Sequence, residues 1–406
     1  MNKIVRNIFI LIVILVLLLA FVPSYTSLNI DNLAYVIAIG IDVGKNEKFE
    51  ICFQFTQNGS SGSESGQDQK SASIINTVEA PSLDAAINLM NSYLAKKINL
   101  SHCRLIVFSE EIAYRGIKDE IYTLTNNSET RPSTSIIISK CNAKSYLDNS
   151  SPILENLITK YYEIFPNSSK YTGYVYNATL GDFFNQLVCN NCEPFAILGG
   201  IHDNSFNENS KFEDYSDIKS SDNTFLGLRD SQNIGVAVFK GDKLVGELSA
   251  SETLCLSIIK GDVESFYIRI PNPNDNNKKI DLLMYPDNSR KIDVDIINGS
   301  PYITYETKFS GKIYSIDEDS KFLDSDTLDN ISQTANIYIN DLLTNYLYKT
   351  SLVFESDING FGNYCLSNFL TTSEFKKYNW LDSYSDSTFK VSIKTEIESS
   401  FLVTET

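Results

Sequence analysis

The segment Leu105-Ile-Val-Phe-Ser-Glu-Glu111 indicates the fold class of the first half of the chain. Its four apolar residues predict a buried strand, and the serine and glutamates that follow favour the start of a helix. A second buried strand is predicted over Ser135–Ser139. Strands that alternate with helices predict an α/β domain. The apolar positions of the predicted helix are Ile112, Ala113, Ile117, Ile121 and Leu124.

The residues on either side of this segment predict further strands and helices. Residues 33–41 are almost continuously apolar, and residues 49–55 alternate, so we expect a strand pair with one solvent-facing side. Residues 58–71 are rich in Gly, Ser and Gln and predict a loop. Ser82 is suited to cap one helix, and a second is expected over residues 153–161.

The second half of the chain carries hairpin and helix signals. Two tight-turn dipeptides, Gly241-Asp242 and Asn298-Gly299, join alternating strands. Ser249 and Glu252 form a capping-box pattern, and a last strand is expected over residues 389–397.

The longest amphipathic pattern covers residues 328–353, with Asp326 as the expected cap. Its apolar stripe must cover a sheet. The second half is therefore predicted to be α+β, with helices on a mainly antiparallel sheet.

Composition divides the chain into four predicted segments. Residues 1–27 form a signal or anchor segment, and residues 28–202 form the N-terminal α/β part. Residues 203–224 form a linker, because nearly all of them are Asn, Ser, Asp, Glu or Lys. Residues 225–406 form the C-terminal α+β domain. We therefore expect a mixed α/β ectodomain of two to three domains behind an N-terminal membrane segment.

The N-terminal apolar run predicts membrane attachment. Residues 8–22 carry no charged or hydrogen-bonding side chain and follow Lys3 and Arg6, as in a secretory leader. We favour an uncleaved single-span anchor, and cleavage near Ser24 or Thr26 is the alternative. The adjoining residues contain no cysteine for lipidation. The rest of the chain is then expected outside the cytoplasm.

Charge limits the classes of partner. The formal net charge is -17, with 51 acidic and 34 basic residues, which argues against a nucleic-acid partner. An anionic lipid surface also repels so acidic a chain, so we expect an ectodomain tethered at its N-terminus rather than lying flat on the membrane.

The 7 cysteines are scattered and odd in number, so they predict no disulfide framework. Only Cys189-Asn-Asn-Cys192 has suggestive spacing. It could close a small loop, bind metal or do redox chemistry, but no second pair or neighbouring histidine supports a site. We interpret the two as ordinary thiols beside a turn.

Few residues are candidates for catalysis. His102 and His202 are the only histidines, and each is more typical of a packed or half-exposed side chain than of a ligand. Two carboxylate pairs, Asp293 with Asp295 and Glu110 with Glu111, are predicted on a solvent-facing strand side and in a helix's first turn. Motifs for hydrolases, metalloproteases and nucleotide binding are missing. We predict no enzyme, and no catalytic, cofactor-binding, metal or lipidation residues.

Two glycines flank Phe361. Gly360 and Gly362 permit a sharp change of direction after the long helix, and no lysine follows at the spacing of a phosphate-binding loop. The structural interpretation is sufficient.

Four blocks in order along the chain resemble one known family. They are residues 32–42, ending in Gly-Ile-Asp; residues 101–117 with Glu129-Thr-Arg-Pro132; residues 235–252, with Gly-Val-Ala-Val-Phe and Asp-Lys-Leu-Val-Gly; and Ser356-Asp-Ile-Asn-Gly-Phe-Gly362 with Trp380. Together they are similar to the GerAC-type C subunits of spore germinant receptors.

This resemblance implies a three-domain ectodomain on the outer face of the spore inner membrane. It implies A and B receptor subunits as partners, a part in germination, and no enzymatic role. The lipobox cysteine usual in the family is missing here, so the retained apolar leader is the expected tether. A membrane-anchored extracellular solute receptor, with a pocket between the halves, is the alternative. A surface hydrolase is a third reading.

Overall fold

The computed structural model describes residues 3–20, 30–56, 73–150, 154–155, 157–201, 231–287, 289–316 and 325–398. Its helices are α1 Lys3–Ala20, α2 Leu83–Leu94, α3 Glu110–Arg115, α4 Lys118–Asn126, α5 Ala143–Asp148, α6 Ile158–Ile164, α7 Ser169–Thr172, α8 Leu180–Leu187, α9 Ala250–Lys260, α10 Ser325–Tyr348, α11 Gly362–Cys365, α12 Thr372–Tyr378 and α13 Trp380–Ser383. Its strands are β1 Leu33–Val43, β2 Phe49–Thr56, β3 Ser73–Ala80, β4 Lys97–Asn99, β5 Leu105–Ser109, β6 Ser135–Ser139, β7 Phe195–Ile201, β8 Ser231–Lys240, β9 Lys243–Leu248, β10 Phe266–Asn272, β11 Asp275–Pro286, β12 Lys291–Ile297, β13 Ser300–Ile316 and β14 Thr388–Glu398.

Helix α1, of 18 residues, contains the apolar run as far as Ala20, and the last two residues of the run lie outside the described residues. Within the described ranges, no helix has the length and apolar character needed to cross a membrane. The anchor segment and its cleavage remain predictions. The predicted loop over residues 58–71 and the linker over residues 203–224 lie outside the described residues.

The first sheet has nine strands, in the order β3-β2-β1-β5-β6-β7-β8-β9, with β4 also paired to β1. Strands β1, β5, β6 and β7 are parallel, and the strands on either side are antiparallel. The buried strands predicted over residues 33–41, 105–108 and 135–139 are all present. They form the parallel centre of the sheet, as the alternation of strands and helices predicts.

The predicted solvent-facing side of the second strand is wrong. Cys52 and Gln54 are buried, and Glu50 is only partly exposed. The hydroxyl of Tyr162 in α6 donates to Gln54 Oε1 over 2.9 Å, because helices cover both sides of this part of the sheet. The alternation of apolar and polar residues in β2 therefore does not correspond to a solvent-exposed side of the strand.

The helix predicted after Ser109 is divided into α3 and α4. The break falls at Gly116, whose φ of +108° is accessible to glycine. The next residue, Ile117, donates its backbone N–H to the carbonyl of Asp242 over 3.1 Å. The helix predicted over residues 153–161 also differs, because α6 begins only at Ile158.

Strands β8 and β9 complete the first sheet, although they follow the predicted linker. Strand β8 pairs with β7, and the hairpin turns at Gly241-Asp242 as the sequence predicts. The sheet thus takes strands from both sides of the predicted boundary. The division at residues 203–224 stays a prediction.

The second sheet contains β10, β11, β13 and β12, with β14 paired to β13. Its pairings are antiparallel except for β13 with β14, which are parallel from Tyr302 to Lys312. The second half is therefore mainly antiparallel, as predicted. Helix α10 lies along β14. Its buried positions are Ile331, Ala335, Ile339, Leu343, Tyr346 and Leu347.

Two details of this half differ from the sequence pattern. Helix α10 begins at Ser325, so Asp326 lies in its first turn instead of capping it. The helix then continues as a π-helical turn over Lys349–Val353. One buried cluster runs from the first sheet through α9 to the second sheet and α10, so the two sheets share a core.

Candidate functional site

The segment Ser356–Gly362 joins the two sheets after the end of α10; we call it the junction loop. Glu355, just before it, has a φ of +49°, and Gly360 within it has a φ of +78°. These left-handed conformations turn the chain back sharply. The sequence predicts the one at Gly360, whereas Glu355 was not predicted and Gly362 has no positive φ. The hydroxyl of Ser356 donates to the Phe239 carbonyl in β8 over 2.6 Å, so the loop is attached to the first sheet.

Asp357 is the centre of the junction loop, and its side chain is fully buried. Its Oδ1 accepts hydrogen bonds from the backbone N–H groups of Gly360 at 2.9 Å and Phe361 at 3.1 Å. Its Oδ2 accepts from the Gly362 N–H at 2.9 Å and from Trp380 Nε1 at 2.8 Å. Four donors therefore satisfy one buried carboxylate.

Burial shifts the pKa values of two charged side chains in this region, Asp357 and Lys260. Burial raises the pKa of Asp357, and the backbone and indole donors and the Lys260 cation partly oppose that shift. Burial lowers the pKa of Lys260, while Asp357 and other acidic neighbours oppose the change. The Lys260 ammonium also lies 5.2 Å from the centre of the Phe195 ring.

Glu193 is a second buried carboxylate beside the junction loop. Its backbone N–H donates to the Asp357 carbonyl over 3.0 Å. Its Oε2 accepts from the Gly241 N–H over 2.7 Å, at the turn of the β8–β9 hairpin. Burial raises the pKa of Glu193 to about 7, against the opposing effect of that hydrogen bond.

The donors around Asp357 fix what this carboxylate can do. Both of its oxygens are occupied by groups of the protein, so it holds the loop in shape. Groups of three or more metal-ligating side chains are missing from the described part of the chain. The arrangement fits a structural junction between the sheets.

A polar cavity of about 200 Å³ lies at the carboxyl end of the parallel strands. Asp42 at its edge caps α5, because its two oxygens accept from the N–H groups of Ala143 at 2.7 Å and Lys144 at 3.1 Å. Burial raises the pKa of Asp42. Lys140 in its wall is paired with Glu247 at 3.0 Å. Most of these charges therefore serve local structure.

A second cavity, of about 260 Å³, is lined by four tyrosines. Tyr267 and Tyr314 pack edge to face with ring centroids 5.2 Å apart. Arg269 donates to both oxygens of Asp281, over 2.6 and 3.0 Å, so an ion pair lies in the wall. The lining residues are Tyr174, Ser251, Leu254, Tyr267, Ile268, Arg269, Asp281, Tyr314, Tyr338 and Leu342.

Of the described carboxylates and histidines considered as catalytic candidates, only the pair Glu110 and Glu111 lines one of the two cavities. Asp293 and Asp295 are exposed on β12, as predicted. Glu110 and Glu111 lie in the first turn of α3 and line the polar cavity. His102 is exposed and stacks on Tyr35, with ring centroids 4.4 Å apart. His202 lies outside the described residues.

Cys189 and Cys192 lie in the turn between α8 and β7, next to the junction loop. Both are half-buried, and all seven cysteines of the chain are free thiols in this structure.

Sequence reasoning missed Asp357 and Glu193 as buried hydrogen-bond acceptors. It interpreted the two glycines of the loop but not the aspartate before them. The available signal was an aspartate three to five residues ahead of glycine N–H groups, a spacing typical of side-chain capping of a turn. Glu193 had no local signal, because its donor comes from another hairpin.

Comparison with known proteins defines the class. The family model "Spore germination protein N-terminal domain" matches residues 26–198, and the model "Spore germination B3/GerAC like, C-terminal" matches residues 234–400. These matches assign the chain to the spore germination proteins. Within that class, it belongs to the GerAC-like family, as the four sequence blocks predict.

Two individual proteins are also similar. YfkR of Bacillus subtilis (strain 168), whose name provisionally assigns it to spore germination, is 24% identical over 124 residues, which is 30% of this chain. The chain covers 32% of that relative's length. The crystal structure of the GerBC protein matches with a TM-score of 0.48 and 16% identity, over 88% of this chain and 96% of that chain.

Proposed function

We propose that this chain is the accessory C subunit of a nutrient germinant receptor. It lies at the spore inner membrane, with its ectodomain on the outer face, and acts through contacts with the A and B subunits rather than through catalysis. Membership of the GerAC-like family supports this proposal, because the family matches extend over both halves of the chain.

The observation that carries the proposal is the use of the family-like residues inside the fold. In the first half, Glu129 Oε2 accepts from the Leu100 N–H over 2.9 Å, and Asp42 caps α5. The carbonyl of Asp242 accepts from Ile117 at the break between α3 and α4. These polar groups stabilise the body of the protein, and none of them lies free in a cleft.

In the second half of the chain, the family-like polar residues also make contacts inside the fold. Glu252 closes the capping box of α9 and also binds Lys349 Nζ at 2.7 Å through both oxygens. Asp357 and Trp380, from the last sequence block, bind one another in the junction. Because these residues make internal contacts, they favour a rigid protein that neighbouring subunits bind, as expected of a scaffold.

The main experiment deletes the gene in a strain without a redundant copy. We expect loss of the response to at least one nutrient, and restoration by the intact gene. A tagged copy should co-purify the A and B subunits from detergent-solubilised spore membranes. Normal germination with every nutrient after deletion, or a tagged protein that brings neither subunit, would contradict the proposal.

Two variants compare a buried structural residue with an exposed surface residue. Asp357→Ala leaves four buried donors unpaired, so we expect the subunit to fail to accumulate and germination to be lost. Asp293→Ala changes an exposed carboxylate on β12 and should leave accumulation normal. Spores that germinate normally with unfolded Asp357→Ala protein would rule out a scaffolding role.

We also propose that residues 1–27 tether the ectodomain. The support is the uncharged stretch that follows Arg6 in the sequence. N-terminal sequencing of the membrane-bound form distinguishes a retained leader from a cleaved one. Release of the intact protein from membranes at high salt would contradict a tether.

The tyrosine-lined cavity favours a second candidate function, that of a solute receptor. Its volume of about 260 Å³ lies just below the roughly 300–1,000 Å³ of typical ligand pockets, so it could hold only a small solute. Titration calorimetry of the full chain with amino acids and sugars tests this function. We expect heats that Tyr267→Ala abolishes and Tyr285→Ala, outside the cavity, keeps. Absence of heat with every solute would exclude this candidate.

A further inference from the structure

The turn Cys189-Asn-Asn-Cys192 carries a pair of adjacent thiols. The two cysteines are separated by only two residues of the same turn, and the Cys189 thiol donates to Asn191 Oδ1. Both cysteines are partly exposed. Four of the other cysteines, Cys52, Cys103, Cys255 and Cys365, are buried, and only Cys141 is comparably accessible.

This turn packs directly on the junction loop and the residue that follows it. Asn191 Nδ2 donates to Asn363 Oδ1 over 2.6 Å, just after that loop. The carbonyl of Asn191 lies against Gly362, where an added Cβ would be only 2.2 Å from it. The Glu193 N–H binds the Asp357 carbonyl one residue after the second cysteine. The thiol pair therefore lies at the contact between the two sheets.

We propose that Cys189 and Cys192 are a modification site, which a disulfide-bearing oxidant converts reversibly to a disulfide. The Cys189 thiolate attacks one sulfur of the oxidant and displaces its first thiol. Cys192 then attacks the Cys189 sulfur of the mixed disulfide and displaces the second thiol. Two protein thiols are oxidised, one disulfide of the oxidant is reduced, and the two protons pass to the released thiols.

The surroundings of Cys192 suit it to the second step. Burial raises the pKa of Cys192, and contact with Cys189 adds to that shift, so Cys192 is mostly protonated near neutral pH. In the proposed order Cys192, the thiol that burial keeps protonated, acts second and is the resolving thiol. A protonated resolving thiol makes the second step the slower one, and the mixed disulfide should be detectable at early times.

Oxidation should restrict the motion of the turn at the contact between the two sheets. A disulfide closes a four-residue ring that contains Asn191, whose side chain and carbonyl touch Asn363 and Gly362. The ring restrains the turn in the unfolded chain as well, so the oxidised protein should melt a few degrees higher. Trp380 packs on Gly362 and is the only tryptophan, so its fluorescence reports on the contact.

The test treats the purified full chain with increasing ratios of oxidised to reduced glutathione and traps free thiols with a maleimide. We expect loss of two thiols, a Cys189–Cys192 disulfide in peptide mass spectra, a shift in Trp380 emission and a higher melting temperature. Dithiothreitol should reverse all four changes. Cys141→Ser is the matched control and should behave as the parent protein does.

Cys189→Ser should abolish every change, and Cys192→Ser should stop at a mixed disulfide between Cys189 and glutathione. The proposal is overturned if both thiols stay reactive at every ratio, or if the parent protein ends as a mixed disulfide. A disulfide that involves Cys141 would overturn it as well. A disulfide that forms without any change in Trp380 emission would overturn its link to the junction.

Discussion

Asp357 Oδ2 and Trp380 Nε1 form a 2.8 Å hydrogen bond between residues 23 positions apart in the chain. Both side chains are fully buried. The bond connects the loop after α10 with the helix that leads into β14, while the Asp357 carbonyl binds Glu193 ahead of β7. One residue thus links three segments of the chain, and it links the first sheet to the second.

Replacing Asp357 with alanine should destabilise the protein by about 3–5 kcal/mol, because buried donors lose a charged acceptor. Urea unfolding followed by the fluorescence of Trp380, the single tryptophan, measures this loss at the site itself. Asp357→Asn should lose less, since its amide oxygen still accepts. The exposed control Asp293→Ala should change the unfolding free energy by less than about 0.5 kcal/mol.

The stability of the protein should depend on pH through Glu193. Its pKa is raised from 4.5 to about 7 in the fold, so the folded state keeps its proton where the unfolded state has lost it. The contribution of Glu193 to stability is therefore greatest below pH 4.5. It falls as pH rises, and it levels off above pH 7.

Glu193→Gln removes this titration and keeps an oxygen that can accept from Gly241. The unfolding free energy of the variant, relative to the parent protein, should therefore rise between pH 4.5 and pH 8 by up to about 3 kcal/mol. Urea unfolding at both pH values checks this, with exposed Glu47→Gln as the control. An equal difference between variant and parent at the two pH values would refute the role of Glu193.

Local signals predicted the turns and caps of this fold well. Ser249 and Glu252 form the expected capping box, and Asn298-Gly299 turns with φ values of +55° and +92°. Such features depend on a few neighbouring residues, so their chemistry is visible in the sequence. Ser82 likewise accepts from the Ala85 N–H at the start of α2.

Long-range pairing could not be predicted in the same way. Nothing near β8 shows that it pairs with β7 across the region outside the described residues, and alternation in β2 did not reveal that helices cover both of its sides. The acceptors Asp357 and Glu193 were missed for the same reason, since their donors include Trp380 and Gly241 from other segments. Pairings of this kind depend on tertiary contacts rather than on local propensity.

Gly362→Ala should be strongly destabilising, by about 1–3 kcal/mol or more. The new Cβ would lie 2.2 Å from the Asn191 carbonyl and 2.6 Å from two atoms of Trp380, so backbone or ring must move. Gly241→Ala is a useful control, because its φ is +60° and nothing lies within 4 Å of its Cβ. Backbone strain should lower the stability of this variant by only about 1–2 kcal/mol, and the Trp380 emission should not change.

The contact between α9 and the end of α10 should depend on Lys349. Its Nζ lies 2.7 Å from both oxygens of Glu252 and 5.2 Å from the centre of the Phe354 ring, in a partly buried position. Lys349→Met leaves a half-buried carboxylate without its cation, so we expect a loss of about 1–3 kcal/mol.

Lys394→Met is the control for that substitution, because the Lys394–Glu396 pair is 64% and 74% exposed. Exposed pairs contribute little, so its effect should stay below about 1 kcal/mol and vanish in high salt. Salt should weaken the Lys349 contact much less, since the surrounding side chains exclude counterions. Thermal melts of both variants at low and high sodium chloride compare the two pairs. Equal losses with equal salt dependence would show that burial does not strengthen the Lys349 pair.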